Sequence, residues 1–232
     1  MFILDETQDN RDFELSHLMN VPVDTIRNIK MCSPDTIRIH DSEEEVADMV
    51  ELYRDLRHLD LVGYYRTLMM TSVERRHPNL IELLRESTGE CTCLDFGSGV
   101  GTHAIALMQK GNNVSLLDVP GPLLEFALQR IINRGLHSNL NVSYSHNSEL
   151  PDNEFDIVIC ADVIEHVPEP LAELERIQKC MKPGAILHLE VSTMIKPSSG
   201  HFLSSIQKWK GRGTEYLSER FTQLKPTIFR RN

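Results

Sequence analysis

Residues 93–101 read Cys-Leu-Asp-Phe-Gly-Ser-Gly-Val-Gly, an apolar run broken by one acid and closed by glycines on alternate positions. Leu94 and Phe96 suit a strand buried between helices. Glycines where a strand turns sharply into a helix let backbone amides approach a ligand with no Cβ in the way. The nonapeptide therefore directs the chain toward an α/β fold with a nucleotide-like ligand above its first strand–helix turn.

Spacing narrows the ligand. The dinucleotide fingerprint is G-x-G-x-x-G/A, but here Gly97 and Gly99 are followed by Gly101, and Thr102 stands where a small residue should allow close helix packing. A phosphate loop would end in Gly-Lys-Ser/Thr, a triplet the chain lacks. After a helical stretch from Thr102 to Lys110 and Gly111, the segment Val114–Val119 reads as a strand carrying Asp118 at its tip. An acid about 20 residues past the first glycine is placed to accept hydrogen bonds from both hydroxyls of a ribose. Further on come Phe155-Asp-Ile-Val-Ile-Cys-Ala-Asp-Val-Ile-Glu-His-Val167 and Met181-Lys-Pro-Gly184, the latter leading into an apolar run from Ala185 to Val191.

In this order and spacing, the segments resemble the motifs of the class I S-adenosylmethionine-dependent methyltransferases, in the small-molecule branch. Residues 93–101 resemble motif I, residues 155–167 resemble motif IV (FDxVxxxxVLEHV), and residues 181–184 resemble the LKPG turn before strand five. The resemblance implies an enzyme that moves a methyl group from S-adenosylmethionine to a small-molecule acceptor, leaving S-adenosylhomocysteine. It places the cofactor against Asp95, Gly97, Ser98, Gly99, Gly101, Thr102 and His103, with Asp118 and Val119 at the ribose and Cys160, Ala161 and Asp162 near the methyl end. At one position the chain departs from the pattern. Where the family has an acid after strand three, five residues before a Leu-Pro proline, it has His146, followed by Asn147; either can accept a hydrogen bond from adenine.

The alternation from 91 to 191 implies right-handed crossovers and a Rossmann-like, doubly wound, mostly parallel sheet, strand order 3-2-1-4-5. Strands are expected near 92–97, 113–119, 141–145, 156–161 and 185–191, and helices over 102–110, 122–134 and 170–181. Residues 1–90 read as a helical cap. Ser42 and Glu45 make a capping box, Pro78 can open a helix, and Val21-Pro-Val-Asp-Thr-Ile-Arg can start a short one. Residues 192–232 read as a basic lid or tail. Phe202, Ile206 and Trp209 would form one apolar face; Thr214 would cap a second helix bearing Tyr216, Leu217, Phe221 and Leu224. No alternating strand pair stands out there, so strands six and seven are expected to be abbreviated or absent. Strand five would then be an exposed edge, covered by the tail or by the second subunit of a homodimer.

Charge restricts the partners. The chain carries a net −10, with −9 in residues 1–60 and +6 in residues 191–232. An acidic protein is poorly suited to nucleic acid, whose binding rests on neutralising phosphates. Protein or tRNA methylation therefore ranks below a small-molecule acceptor, and the basic run Lys208-Trp-Lys-Gly-Arg212 is either a solvated partner for the acidic N-terminal stretch or a lid. No run approaches the ~20 apolar residues of a membrane span. With no secretory leader and five cysteines, an odd number suited to free thiols, a cytoplasmic protein is expected.

Methyl transfer from a sulfonium is an in-line displacement that proximity and alignment alone can accelerate strongly. If the acceptor is a hydroxyl or an acidic carbon, a base helps, and His166 is the candidate by intrinsic pKa, with Glu165 beside it. That carboxylate–histidine pair is half a metal site, and no metal is expected. Tyr64, Tyr65 and Trp209 could line a substrate pocket. A catalytically silent subunit that binds the cofactor or a protein partner is the reading from another class.

Overall fold

The computed structural model describes residues 8–29, 61–70, 79, 90–193 and 201–232. Helices α1 (Gln8–Met19), α2 (Val23–Asn28) and α3 (Leu61–Met70) precede the sheet. The chain then alternates through β1 (Thr92–Phe96), α4 (Thr102–Met108), β2 (Asn113–Asp118), α5 (Pro122–Asn133), β3 (Leu140–Ser145), β4 (Phe155–Ala161), α6 (Pro170–Cys180) and β5 (Met181–Glu190). It ends in α7 (Leu203–Arg220), β6 (Phe221–Lys225) and β7 (Ile228–Arg231). The expected short helix after Val21 is α2, which starts behind Pro22. The capping box at Ser42 and the helix opened by Pro78 lie outside the described residues.

The sheet order is β3-β2-β1-β4-β5-β7-β6. Strands β1 to β5 pair in parallel and β7 runs antiparallel to both neighbours. The strand order 3-2-1-4-5 is as expected; the abbreviated sheet is not. Phe221, Ile228 and Phe229 are buried, whereas Thr222, Gln223 and Leu224 face outward, so a short hairpin completes seven strands. Its few apolar residues are too few to show a period of two. β5 is consequently paired on both sides and is no longer an edge awaiting a second subunit. The division of the tail also differs: α7 runs unbroken through Gly211, Gly213 and Thr214, and the last "helical" residues, Phe221 and Leu224, belong to β6. β5 begins at Met181, within the expected turn. The pairing shifts register between Phe155↔Met181 and Ile157↔Ile186 around Gly184, whose φ is +79°.

Successive residues of β1 face opposite sides and join different cores. Cys93 packs with Ile105, Leu124 and Ile131 of α4 and α5; Leu94 and Phe96 pack with Leu174, Ile177 and Leu217 of α6 and α7. Each such side chain contributes roughly 1.5–3 kcal/mol by leaving water. A third cluster brings Leu15, Ile26, Tyr64 and Met69 of the N-terminal helices onto Val100 of the glycine turn and Phe126 of α5. Ion pairs of two carboxylates hold these helices: Asp12 with Arg66, at 2.9 Å, and Glu14 with the buried Arg130 and the partly exposed Arg134, at 3.2 and 2.6 Å. Part of the acidic N-terminal charge is thus matched by arginines of α3 and α5. The tail's Lys208 instead pairs with Glu169 at 2.6 Å.

Candidate cofactor and acceptor site

The order of strands reverses between β1 and β4, and the carboxyl ends of β1, β2 and β4 open onto the crevice where such sheets bind ligands. The turn after β1 forms its floor. Gly97 and Ser98 both donate backbone N–H groups to Leu117 O, at 2.8 and 3.1 Å, which ties the turn to β2. Gly97, Gly99 and Gly101 all have positive φ, +76°, +51° and +73°. Two of the three are also hemmed in. A Cβ on Gly97 would lie 2.3 Å from Val163 Cγ2, and one on Gly101 would lie 3.0 Å from Ala127 Cβ. Beside Gly99 nothing stands within 4 Å. The first and third glycines therefore serve packing, and the middle one faces open space.

Asp118 completes this floor. Its Oδ2 accepts the Gly99 N–H at 2.5 Å and its Oδ1 accepts the Val119 N–H at 2.7 Å. A carboxylate has about four acceptor positions, so the two amides do not exhaust it. Burial raises the pKa of Asp118, against the lowering effect of the two amides and the Ser98 side chain. Asp95, 1% exposed, accepts the Ala104 N–H at 2.9 Å and so satisfies a donor in the first turn of α4. Burial, together with the charge of Asp118, pushes its pKa up to about 7 despite that amide. His103 Nδ1 lies 3.9 Å from Asp95 Oδ1, on the same turn.

The other residues singled out by sequence divide between the crevice and the packing around it. His146 donates its backbone N–H to Asp118 O at 2.8 Å, which holds the end of β3 beside Asp118, while Asn147 is exposed and accepts from Ser145 Oγ. Cys160 is buried in β4 and Ala161 ends that strand. Asp162 follows with φ +54°, a strained conformation for a non-glycine residue, pinned by its N–H to Glu190 O at 3.0 Å. Thr102 Oγ1 accepts from Arg130 Nη1 at 3.1 Å. Tyr64 is buried close enough to Asp118 that the carboxylate, after burial itself, helps push its pKa to about 12. Tyr65 stacks on Phe126 at 4.2 Å and donates to Pro122 O at 3.0 Å, fastening α3 to α5. Trp209 lies over Gly213 in the core beneath α7, where a Cβ would meet its ring at 2.4 Å.

Sequence reasoning missed two residues. Arg130, fully buried, donates to Val100 O at 2.6 Å and joins the glycine turn to Glu14 of α1. Its only signal was its place on the buried stripe of α5, between Ala127 and Ile131. The second is His201, which lies with Glu165 and His166 so that one ligand atom from each falls within 4.8 Å of the others. Glu165 is 0% exposed, and burial pushes its pKa up to about 7.

Residues 94–189 match the family described as methyltransferase domain. Among curated proteins, the ubiquinone biosynthesis O-methyltransferase of Haemophilus ducreyi is 31% identical over 129 residues, 53% of this chain and 51% of that protein. That of Hydrogenovibrio crunogenus is 28% identical over 116 residues, 49% of this chain and 48% of that one. The chain thus spans about half the length of these relatives. Two solved structures share the fold. The phosphoethanolamine N-methyltransferase 2 of Haemonchus contortus, in complex with phosphomonomethylethanolamine and S-adenosylhomocysteine, has a TM-score of 0.53 at 18% identity, over 64% of this chain and 37% of that one. A Methanococcus maripaludis protein described as an S-adenosyl-L-methionine-dependent methyltransferase has a TM-score of 0.50 at 18% identity, over 84% of this chain and 93% of that one.

Proposed function

We propose that this chain, whose central residues form a class I S-adenosylmethionine-dependent methyltransferase domain, transfers the methyl group to a hydroxyl of a small-molecule acceptor. The observation that carries the reading is the floor of the crevice, where Gly99 alone of the three glycines faces open space and its amide is held by Asp118. Asp118 would grip the ribose hydroxyls with its remaining acceptor positions. His146, Asn147 and Val119 would lie toward adenine, and Ser98, Thr102 and His103 would frame the first turn of α4 against the methionine part. The cationic sulfonium and ammonium offset the charges of Asp95 and Asp118. Tyr64, from the N-terminal helices, would close over the ribose side.

Chemistry needs little beyond this placement. Bound S-adenosylmethionine would supply an electrophilic methyl group for in-line attack by the acceptor oxygen, with neutral S-adenosylhomocysteine as the leaving group, and the crevice would hold the two in line. A hydroxyl acceptor must also lose a proton. His166 and Glu165, just past the strained Asp162, are the groups at hand to receive it. An oxygen acceptor is favoured by the O-methyltransferase names of the curated relatives. The silent-subunit reading loses one of its supports, because the sheet is complete.

Calorimetric titration with S-adenosylmethionine and S-adenosylhomocysteine tests the donor. Saturable binding of both is expected, and Asp118→Ala should abolish it; wild-type affinity in that variant would overturn the assignment of the crevice. Mass detection of a methylated product among candidate phenols and catechols then separates an enzyme from a cofactor-binding subunit.

A further inference from the structure

We propose that Glu165, His166 and His201 hold a divalent transition-metal ion of the zinc type at the carboxyl end of β4. Two imidazoles and one carboxylate are the donor set that suits zinc, cobalt, manganese or ferrous iron, whereas magnesium and calcium take oxygen ligands almost alone. The three ligand atoms already lie within 4.8 Å of one another, and the rings of His166 and His201 meet edge to face with centroids 4.8 Å apart. A tetrahedral ion with bonds of about 2.0–2.1 Å holds its ligands about 3.4 Å apart, so small side-chain rotations close the set.

The second observation is an orphaned oxygen. Glu165 is fully buried; its Oε1 accepts the Ser192 N–H at 2.7 Å, but its Oε2 has no hydrogen-bond partner among the described residues. A buried carboxylate oxygen left without a donor is costly, and a cation removes that cost. The frame is already set. The Phe202 N–H donates to Glu165 O at 2.9 Å and Ser205 Oγ donates to Ile164 O at 2.7 Å, so the segment bearing His201 is fastened to the one bearing Glu165 and His166.

Three protein ligands leave a fourth position open. If the methyltransferase reading holds, that position suits the acceptor's oxygen, because a hydroxyl bound to such an ion loses its proton near neutral pH. Coordination engages the imidazole lone pair that base catalysis would use, so in the loaded protein the ion itself makes the acceptor's proton labile.

The test is a titration of the full chain, stripped with a chelator, with Co2+ followed by Zn2+. One equivalent of Co2+ with tetrahedral visible bands, displaced by Zn2+ and unmatched by Mg2+, is expected. His201→Ala and Glu165→Gln should each weaken it at least tenfold, while the exposed His137→Ala should leave it unchanged. Thermal melts establish that each variant folds, and if Glu165→Gln fails to fold, His201→Ala decides alone. No stoichiometric Co2+ binding, or binding unaltered by His201→Ala, overturns the proposal. A parallel S-adenosylmethionine titration keeps the two readings apart: cofactor binding without Co2+ binding sinks the metal site alone, and Co2+ binding without cofactor binding sinks the methyltransferase reading alone.

Discussion

The glycine turn allows fold and ligand binding to be perturbed separately. In Gly99→Ala the new Cβ meets nothing within 4 Å, so the cost to the fold is only that of holding alanine at φ +51°, about 1–2 kcal/mol. In a chain of this size 1 kcal/mol moves the melting temperature by about 2–4 °C, so a fall of about 2–8 °C is expected. Gly97→Ala carries the same strain and adds a clash with Val163 Cγ2 at 2.3 Å. Such overpacking costs about a further 1–3 kcal/mol, giving a loss of about 2–5 kcal/mol in all. Binding should rank the variants the other way. If the cofactor lies where proposed, the alanine methyl at position 99 would intrude on it, and the S-adenosylmethionine dissociation constant should rise at least about tenfold, or 1.4 kcal/mol. Differential scanning fluorimetry and calorimetry measure the two effects independently. A Gly99→Ala protein that melts within the expected range yet binds the cofactor with wild-type affinity would refute the placement of the ligand beside that residue.

Two further perturbations address the charges around this turn. Asp95 has a folded pKa of about 7 against about 3.9 unfolded, so between those values the folded state binds more protons than the unfolded one. Stability of the ligand-free protein should therefore fall as pH rises from about 4 to 7 and level off above. Asp95→Asn should flatten that slope in melts across pH, and an unchanged slope would count against the burial argument. Glu14 is shifted the opposite way: burial acts upward, but the hydrogen bonds and charges of Arg134 and Arg130 outweigh it and leave its pKa below the usual carboxylate range. Its contribution is present above the unfolded pKa and is lost as pH falls below it. Glu14→Ala, which leaves the buried Arg130 without its carboxylate, should cost about 3–5 kcal/mol in urea unfolding. Adding Arg130→Met should recover part of that loss; no recovery would mean that the guanidinium is not the source of the cost.

The glycine turn and its neighbouring acid were legible as a unit because they are close in the chain. Glycines at 97, 99 and 101 and an acid at 118 sit on consecutive strand–turn–helix units, and their spacing follows from the fold. What escaped was long-range or short. The β6–β7 hairpin buries Phe221, Ile228 and Phe229, and Phe221 with Leu224 also fits a helical step of three, so the sequence pattern favoured the wrong period. Arg130 read as the polar interruption of an apolar helix face, since only the approach of α1 shows that the stripe carries it inward. His201 lies beyond β5, far along the chain from His166, and nothing in its neighbours announced a third donor.

The burial of Arg130 also bears on ionic strength. Mobile ions screen charges that share the solvent, over about 8 Å at physiological salt, and reach a fully buried pair far less. The link from α1 through Glu14 and Arg130 to Val100 O should hold in brine as in dilute buffer, whereas the exposed Lys208–Glu169 pair should loosen as salt is added. The floor of the crevice is thus fixed from the N-terminal side by a bond that added salt scarcely touches.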